Sequence, residues 1–180
     1  MEDARTPSKE NRRAGDEFLG KALCSLDEKN RLTIPVKFRK LIREDAAGGR
    51  HLVICRAKDH RTDCLALYTL EYFNDIMDRL RALDPGPEKR RLIRFYSNES
   101  EQLRIDRYGR VQIPSEFLEV LGNARDLIVS GESDYLEIWK RETFDSVREE
   151  GLEGFYGGIV VSALVTAALA RRIAVDSSQL

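Results

Sequence analysis

Two short stretches carry cations at the tips of what read as turns. Lys29 and Arg31 flank Asn30, and Arg107 and Arg110 flank Tyr108-Gly109. A guanidinium can fork a guanine edge or a phosphate, and an ammonium can neutralise one, so such tips can engage a nucleic-acid groove. The same cations have a structural use. Asp27 stands four residues before Arg31, and Asp106 four before Arg110, so each pair can brace its own turn. Residue type alone leaves binding and bracing open for Lys29, Arg31, Arg107 and Arg110.

Other constellations carry less chemistry. His51-x-x-x-Cys55 and His60-x-x-x-Cys64 supply nitrogen and sulfur, which zinc accepts. Cys55, however, extends the apolar run Leu52-Val53-Ile54 and reads as a small buried residue. The four would also straddle strand and loop, whereas metal pairs usually sit on knuckles or helices, so no metal and no other cofactor is expected. The chain has two histidines, no glycine-rich phosphate loop and no His-Glu-x-x-His. Acidic neighbours such as Glu149-Glu150 read as a solvated face. An enzyme with a small-molecule substrate is therefore not expected.

The elements that hold the turns are repeated. Leu26-Asp27-Glu28-Lys29-Asn30-Arg31-Leu32-Thr33-Ile34-Pro35 returns as Ile105-Asp106-Arg107-Tyr108-Gly109-Arg110-Val111-Gln112-Ile113-Pro114, with Asp, Arg, Ile and Pro at matching spacing. Such a repeat signals two copies of one supersecondary unit. Lys21–Leu26 and Arg31–Ile34 read as strands around the first turn. Asn30 and Gly109 share a slot, and both tolerate positive φ, so Asp27, Asn30, Asp106 and Gly109 are the expected turn-bracing set. Pro35 and Pro114 sit where a short helix begins, with Phe38, Leu41 and Ile42 on one such helix and Phe117, Val120 and Leu121 on the other. Leu52-Val53-Ile54 matches Leu127-Ile128-Val129 as a buried strand. Leu65–Tyr68 matches Leu136–Trp139 as an alternating one. A helix bearing Phe73, Ile76, Met77, Leu80 and Leu83 follows, broken by Asp84-Pro85-Gly86-Pro87, and a short basic helix over 88–95 leads into the second copy.

Charge is polarised along the chain. The net charge is -1, yet residues 18–60 carry ten Lys or Arg against five acids, and 89–111 seven against three. Residues 116–153 carry eleven acids against four bases. Basic charge therefore gathers around both turns, where it can draw an anion to one face. Three cysteines without a signal peptide suit a reducing compartment. Residues 1–17 are polar and read as a disordered tail. Residues 155–170 are apolar but short for a membrane span. Packing or oligomer contact is the leading reading there, with disorder and membrane contact as alternatives.

Phe18-Leu19-Gly20, the two Asp-x-x-x-Arg turns each leading to Ile-Pro, Phe38-Arg39, Ser100-Glu101 and Leu136-Glu137-Ile138-Trp139 together resemble the MraZ family, relatives of the AbrB-like swapped-hairpin superfamily. The resemblance covers residues 18 to about 150. It implies an α+β fold: two pseudo-symmetric β-hairpin-plus-helix repeats forming a small β-rich core with outer helices. The organisation would be a tail 1–17, a first repeat 18–84, a linker with the basic helix 85–99, a second repeat 100–150 and an extension 151–180. The implied function is sequence-specific binding of double-stranded DNA at promoter direct repeats, as a ring homo-oligomer, in a cytoplasmic, nucleoid-associated autorepressor of the division and cell-wall gene cluster. It further implies that Lys29 and Arg31 of the first turn contact DNA, while binding and bracing stay open for Arg107 and Arg110. A different class of reading is an assembly module whose C-terminal tail docks a partner or membrane. The longer N-terminal tail and the apolar 155–170 stretch depart from the family pattern.

Overall fold

The computed structural model describes residues 17–59 and 62–147. The tail up to residue 16, His60, and the extension 151–180 lie outside the described residues. In chain order the elements are β1 (Lys21–Ser25), β2 (Arg31–Thr33), α1 (Val36–Arg39), β3 (Arg50–Asp59), β4 (Thr62–Thr69), α2 (Leu70–Ala82) and α3 (Pro87–Asn98). They continue with β5 (Ser100–Ile105), β6 (Arg110–Gln112), α4 (Ser115–Val120), β7 (Asp126–Gly131) and β8 (Leu136–Lys140). Residues 141–147 are helical.

Among the described residues, eight strands form two antiparallel sheets. The larger has the order β1-β7-β8-β4-β3-β5, and the smaller is the pair β2-β6. Exchanging each strand for its repeat partner returns both orders reversed, as a pseudo-twofold between β4 and β8 and between β2 and β6 requires. The fold is α+β, with the repeat built into a shared sheet.

The strands around each turn pair across the copies. β1 pairs with β7 (Leu23 opposite Ile128), and β5 pairs with β3 (Leu103 opposite Leu52). β2 pairs with β6, Leu32 opposite Val111. Within the first copy, one isolated bridge, Leu26 to Leu32, links the two sides of the turn. The physical gain is burial. Leu32, Ile34, Val111 and Ile113 are each at most 1% exposed in the main core, beside Phe38, Phe117, Leu127 and Leu136.

Local signals set the helices. Pro35 and Pro114 stand at the N-caps of α1 and α4 in extended backbone. Gly122, φ 61°, follows α4 in the left-handed region that closes helices. The Thr69 hydroxyl accepts from the Tyr72 amide to cap α2. α2 lays Tyr72, Phe73 and Ile76 over a second core of Val53, Cys55, Ala66 and Tyr68. That layer corrects one expectation: Leu65–Tyr68 does not alternate. β4 is central, covered by the main core on one face and by the aromatic layer on the other, so Cys64 to Tyr68 are all buried. Leu83 is also not on the packed helix face; it ends α2 and is 44% exposed.

Candidate nucleic-acid interface

β2 and β6 are a short ribbon with two faces. Strand alternation sends Leu32 and Val111 inward, while Arg31, Thr33, Arg110 and Gln112 share the outer face. Because the strands are antiparallel, the first turn sits at one end of the ribbon and the second at the other. The ends are tied by two reciprocal hydrogen bonds: the Ile34 amide donates to the Gly109 carbonyl at 2.9 Å, and the Ile113 amide to the Asn30 carbonyl at 3.0 Å.

Each turn closes around its aspartate. Asp27 Oδ1 accepts from the amides of Lys29 (2.9 Å) and Arg31 (3.0 Å), and Oδ2 from Arg31 Nε (2.7 Å). Asp106 Oδ1 accepts from the amides of Tyr108 (2.8 Å) and Arg110 (2.9 Å), and Oδ2 from Arg110 Nε (2.9 Å). Arg110 NH1 also lies 3.8 Å from Asp27 Oδ2, so the four charges link the copies across the ribbon. The Arg31 amide, with the neighbouring donors, holds the Asp27 carboxyl below its usual range despite desolvation. At Asp106, desolvation acts upward but the Arg110 and Tyr108 amides and the Arg110 guanidinium outweigh it, and the net shift is again downward. Both carboxylates are thereby kept charged beside their arginines.

The predicted cations thus differ in situation. Arg31 and Arg110 lie on the ribbon face, with side chains 30% and 24% exposed and one edge of each guanidinium held by aspartate. Lys29 and Arg107 are exposed at the turns. Asn30 (φ 57°) and Gly109 (φ 81°) adopt the left-handed backbone that the turn requires.

Several supporting residues had no sequence signal of their own. Gln112 Nε2 donates to the Lys29 carbonyl at 2.5 Å, and Arg125 NH1 to the Asp27 carbonyl at 2.7 Å. Arg39 NH1 donates to the Tyr108 carbonyl at 3.2 Å and lies over Gly109, where an added Cβ would fall 1.4 Å from it. The residue matching Arg39 in the second copy is Leu118, buried at 4% exposure. The Arg39 side chain lies where a Cβ at position 109 would project. Tyr108, 58% exposed, is flanked by the guanidinium carbons of Arg107 and Arg110, 4.7 and 4.8 Å from its ring centre.

Of the histidine–cysteine group, His51, Cys55 and Cys64 fall within the described residues, on β3 and β4. Cys55 lies buried on β3 opposite Ala66, and burial pushes its thiol pKa up, away from the thiolate a metal needs. Cys64 is buried on β4, and His51 Nδ1 faces Asp45 Oδ2 at 3.1 Å. Among the described residues, no helix is long and apolar enough to cross a membrane.

A family model described as "MraZ protein, putative antitoxin-like" matches residues 18–95 and 97–154. A protein of Nocardia farcinica named transcriptional regulator MraZ is 33% identical over 139 residues, covering 77% of this chain and 91% of its own. Its namesakes in Corynebacterium glutamicum (34%) and Dictyoglomus turgidum (31%) each align over 134 residues, 74% of this chain and 87% and 86% of theirs. All three are named as regulators of transcription, which is not an enzymatic activity.

Proposed function

Because the chain belongs to the MraZ family of transcriptional regulators, we propose that it binds double-stranded promoter DNA with the outer face of the β2–β6 ribbon and its two turns. The observation that carries this reading is the ribbon itself: a two-stranded, cation-bearing element of the width a major groove admits. Arg31 would present its unheld guanidinium edge to bases, Arg110, held between Asp106 and Asp27, would add positive charge to the ribbon face, and Lys29 and Arg107 would neutralise flanking phosphates. A three-residue strand pair offers few contacts, so one subunit would bind weakly. Affinity would come from a ring homo-oligomer meeting direct repeats, each linked contact benefiting from effective concentration. β1 and β5 end the six-stranded sheet, and β1 exposes Leu23 at 58%. Such edges favour assembly with another copy. The output would be repression of its own division and cell-wall cluster, by a cytoplasmic protein associated with the nucleoid.

A mobility shift with its own promoter and with a scrambled duplex, each at two salt concentrations, tests this. Tighter binding to the promoter, weakened by salt on both, is the expected result. Equal affinity for both duplexes, or none for either, overturns it.

A further inference from the structure

In a repeated fold, departures from the repeat point to function that symmetry does not demand. Beside the second turn a concave surface of about 410 Å³ is lined by Arg39, Glu44, Arg50, Arg104, Asp106 and Arg107, with glycine backbone between them. That volume falls among those of small-molecule sites. Four cations there meet two carboxylates. The positions matching Arg39, Arg50, Arg104 and Arg107 at the first turn are Leu118, Arg125, Ser25 and Glu28, one cation and one acid. The cluster is therefore not a by-product of duplication.

The two lining carboxylates do not cancel it, and Asp45, which faces Arg104 from just outside, is itself engaged by the Ala47 and Gly49 amides. Asp106 is closed onto Arg110 and two amides, as described above. Glu44 Oε1 meets Arg50 NH2 at 2.9 Å, but both side chains remain partly exposed, 55% and 39%. Arg50 Nε is buried without a hydrogen-bond partner, which leaves that guanidinium short of acceptors. Arg39 NH1 donates to the Tyr108 carbonyl and Arg107 NH2 to the Tyr108 hydroxyl at 2.6 Å, so both are directed to the second turn. We infer that this concavity is a phosphate-binding site, accepting a phosphate monoester or diester between Arg39, Arg50, Arg104 and Arg107, with Glu44 displaced from Arg50 on binding.

The phosphate has two possible sources: the DNA backbone flanking the ribbon, or a free polyphosphate ligand. The first rests on the DNA reading; the second does not. Calorimetric titration of the full chain with inorganic pyrophosphate is the primary test. Saturable binding is expected, weakened about tenfold or more in Arg50→Gln and Arg104→Gln, the loss of one charge-assisted hydrogen bond. Glu44→Gln should bind more tightly, because a competing carboxylate is gone. Lys29→Ala should leave pyrophosphate binding unchanged. Circular dichroism checks each fold, and exposed Arg104 keeps the test open if Arg50→Gln fails to fold. A DNA source adds a drop of about one in the salt slope of DNA binding for Arg104→Gln; a free ligand leaves that slope intact. No saturable binding of pyrophosphate, or binding equal in wild type and Arg104→Gln, overturns the site. Pyrophosphate binding that persists in a protein with no preference for its promoter would instead sink the DNA reading alone.

Discussion

Asp27 and Asp106 decide what their arginines can do. Each holds one edge of its guanidinium and two turn amides, so Arg31→Ala removes a brace as well as the proposed groove contact. Lys29→Ala is the cleaner probe, since the exposed ammonium supports no turn bond. It should weaken binding to all duplexes alike and lower the salt slope by about one, with an unchanged melting temperature; an unfolded Lys29→Ala would refute its assignment to the surface. The aspartates also set a pH response. Their folded pKa values are depressed, so the native state holds fewer protons than the unfolded chain in acid. Their contribution is complete above the unfolded value of about 4 and is lost as pH falls through the folded one. Thermal melts across that window should decline more steeply for wild type than for an Asp27→Asn, Asp106→Asn double variant, and parallel curves would show that neither carboxylate stabilises its turn. Both Asp–Arg pairs were readable from spacing because the interaction is local. Arg39, Gln112 and Arg125 were not, because their partners lie 69, 83 and 98 residues away in sequence. Gly109 is where that distance leaves a trace: Arg39 occupies the space of a side chain, and Gly109→Ala combines that collision with left-handed strain of about 1–2 kcal/mol.

At the level of elements, the repeat unit was apparent from Asp, Arg, Ile and Pro recurring in register, and the short helices from Pro35, Pro114 and the spacing of Phe38, Ile42, Phe117 and Leu121. Strand partners were not, because the alternation of Arg31-Leu32-Thr33 is satisfied equally by a hairpin and by a swap. The two-sided burial of β4 is not legible for a related reason: periodicity cannot report that α2 covers the second face of a central strand. The swap has a direct consequence. β1 has its ladder on β7 and β5 has its ladder on β3, so neither copy holds its own first strand. A fragment of residues 18–84 should therefore show little structure by circular dichroism, while mixing it with residues 85–147 should restore sheet signal. A first copy that folds cooperatively alone would contradict this interdependence. The ribbon floor is equally shared. Leu32 and Val111 are opposite each other at 0% exposure, and Leu32→Ala should cost about 2–5 kcal/mol, destabilising both turns together.

For the whole molecule, a net charge of -1 conceals the polarity that matters. Basic residues outnumber acids in the stretches that hold both turns, whereas acids outnumber bases in 116–153, so the cationic charge that could attract DNA is concentrated in the sequence around the ribbon. How many ribbons engage at once is measurable from salt. The logarithm of affinity falls with the logarithm of salt at about 0.9 per phosphate neutralised on duplex DNA. One subunit, with Lys29 and Arg107 on phosphates, would give a slope near two, or somewhat more if the arginine concavity also holds a backbone phosphate. A ring engaging several direct repeats should give that slope multiplied by the number of ribbons seated. Its affinity should also rise by orders of magnitude, because each further contact forms intramolecularly. Titrations on duplexes with one box and with three, at a series of salt concentrations, separate the cases. Changing the spacing between boxes by half a helical turn should collapse the three-box affinity toward the one-box value, since a rigid ring cannot follow the groove to the opposite side of the duplex. If slope and affinity are the same on one box and three, or if spacing is immaterial, subunits bind singly and the ring has no part in recognition.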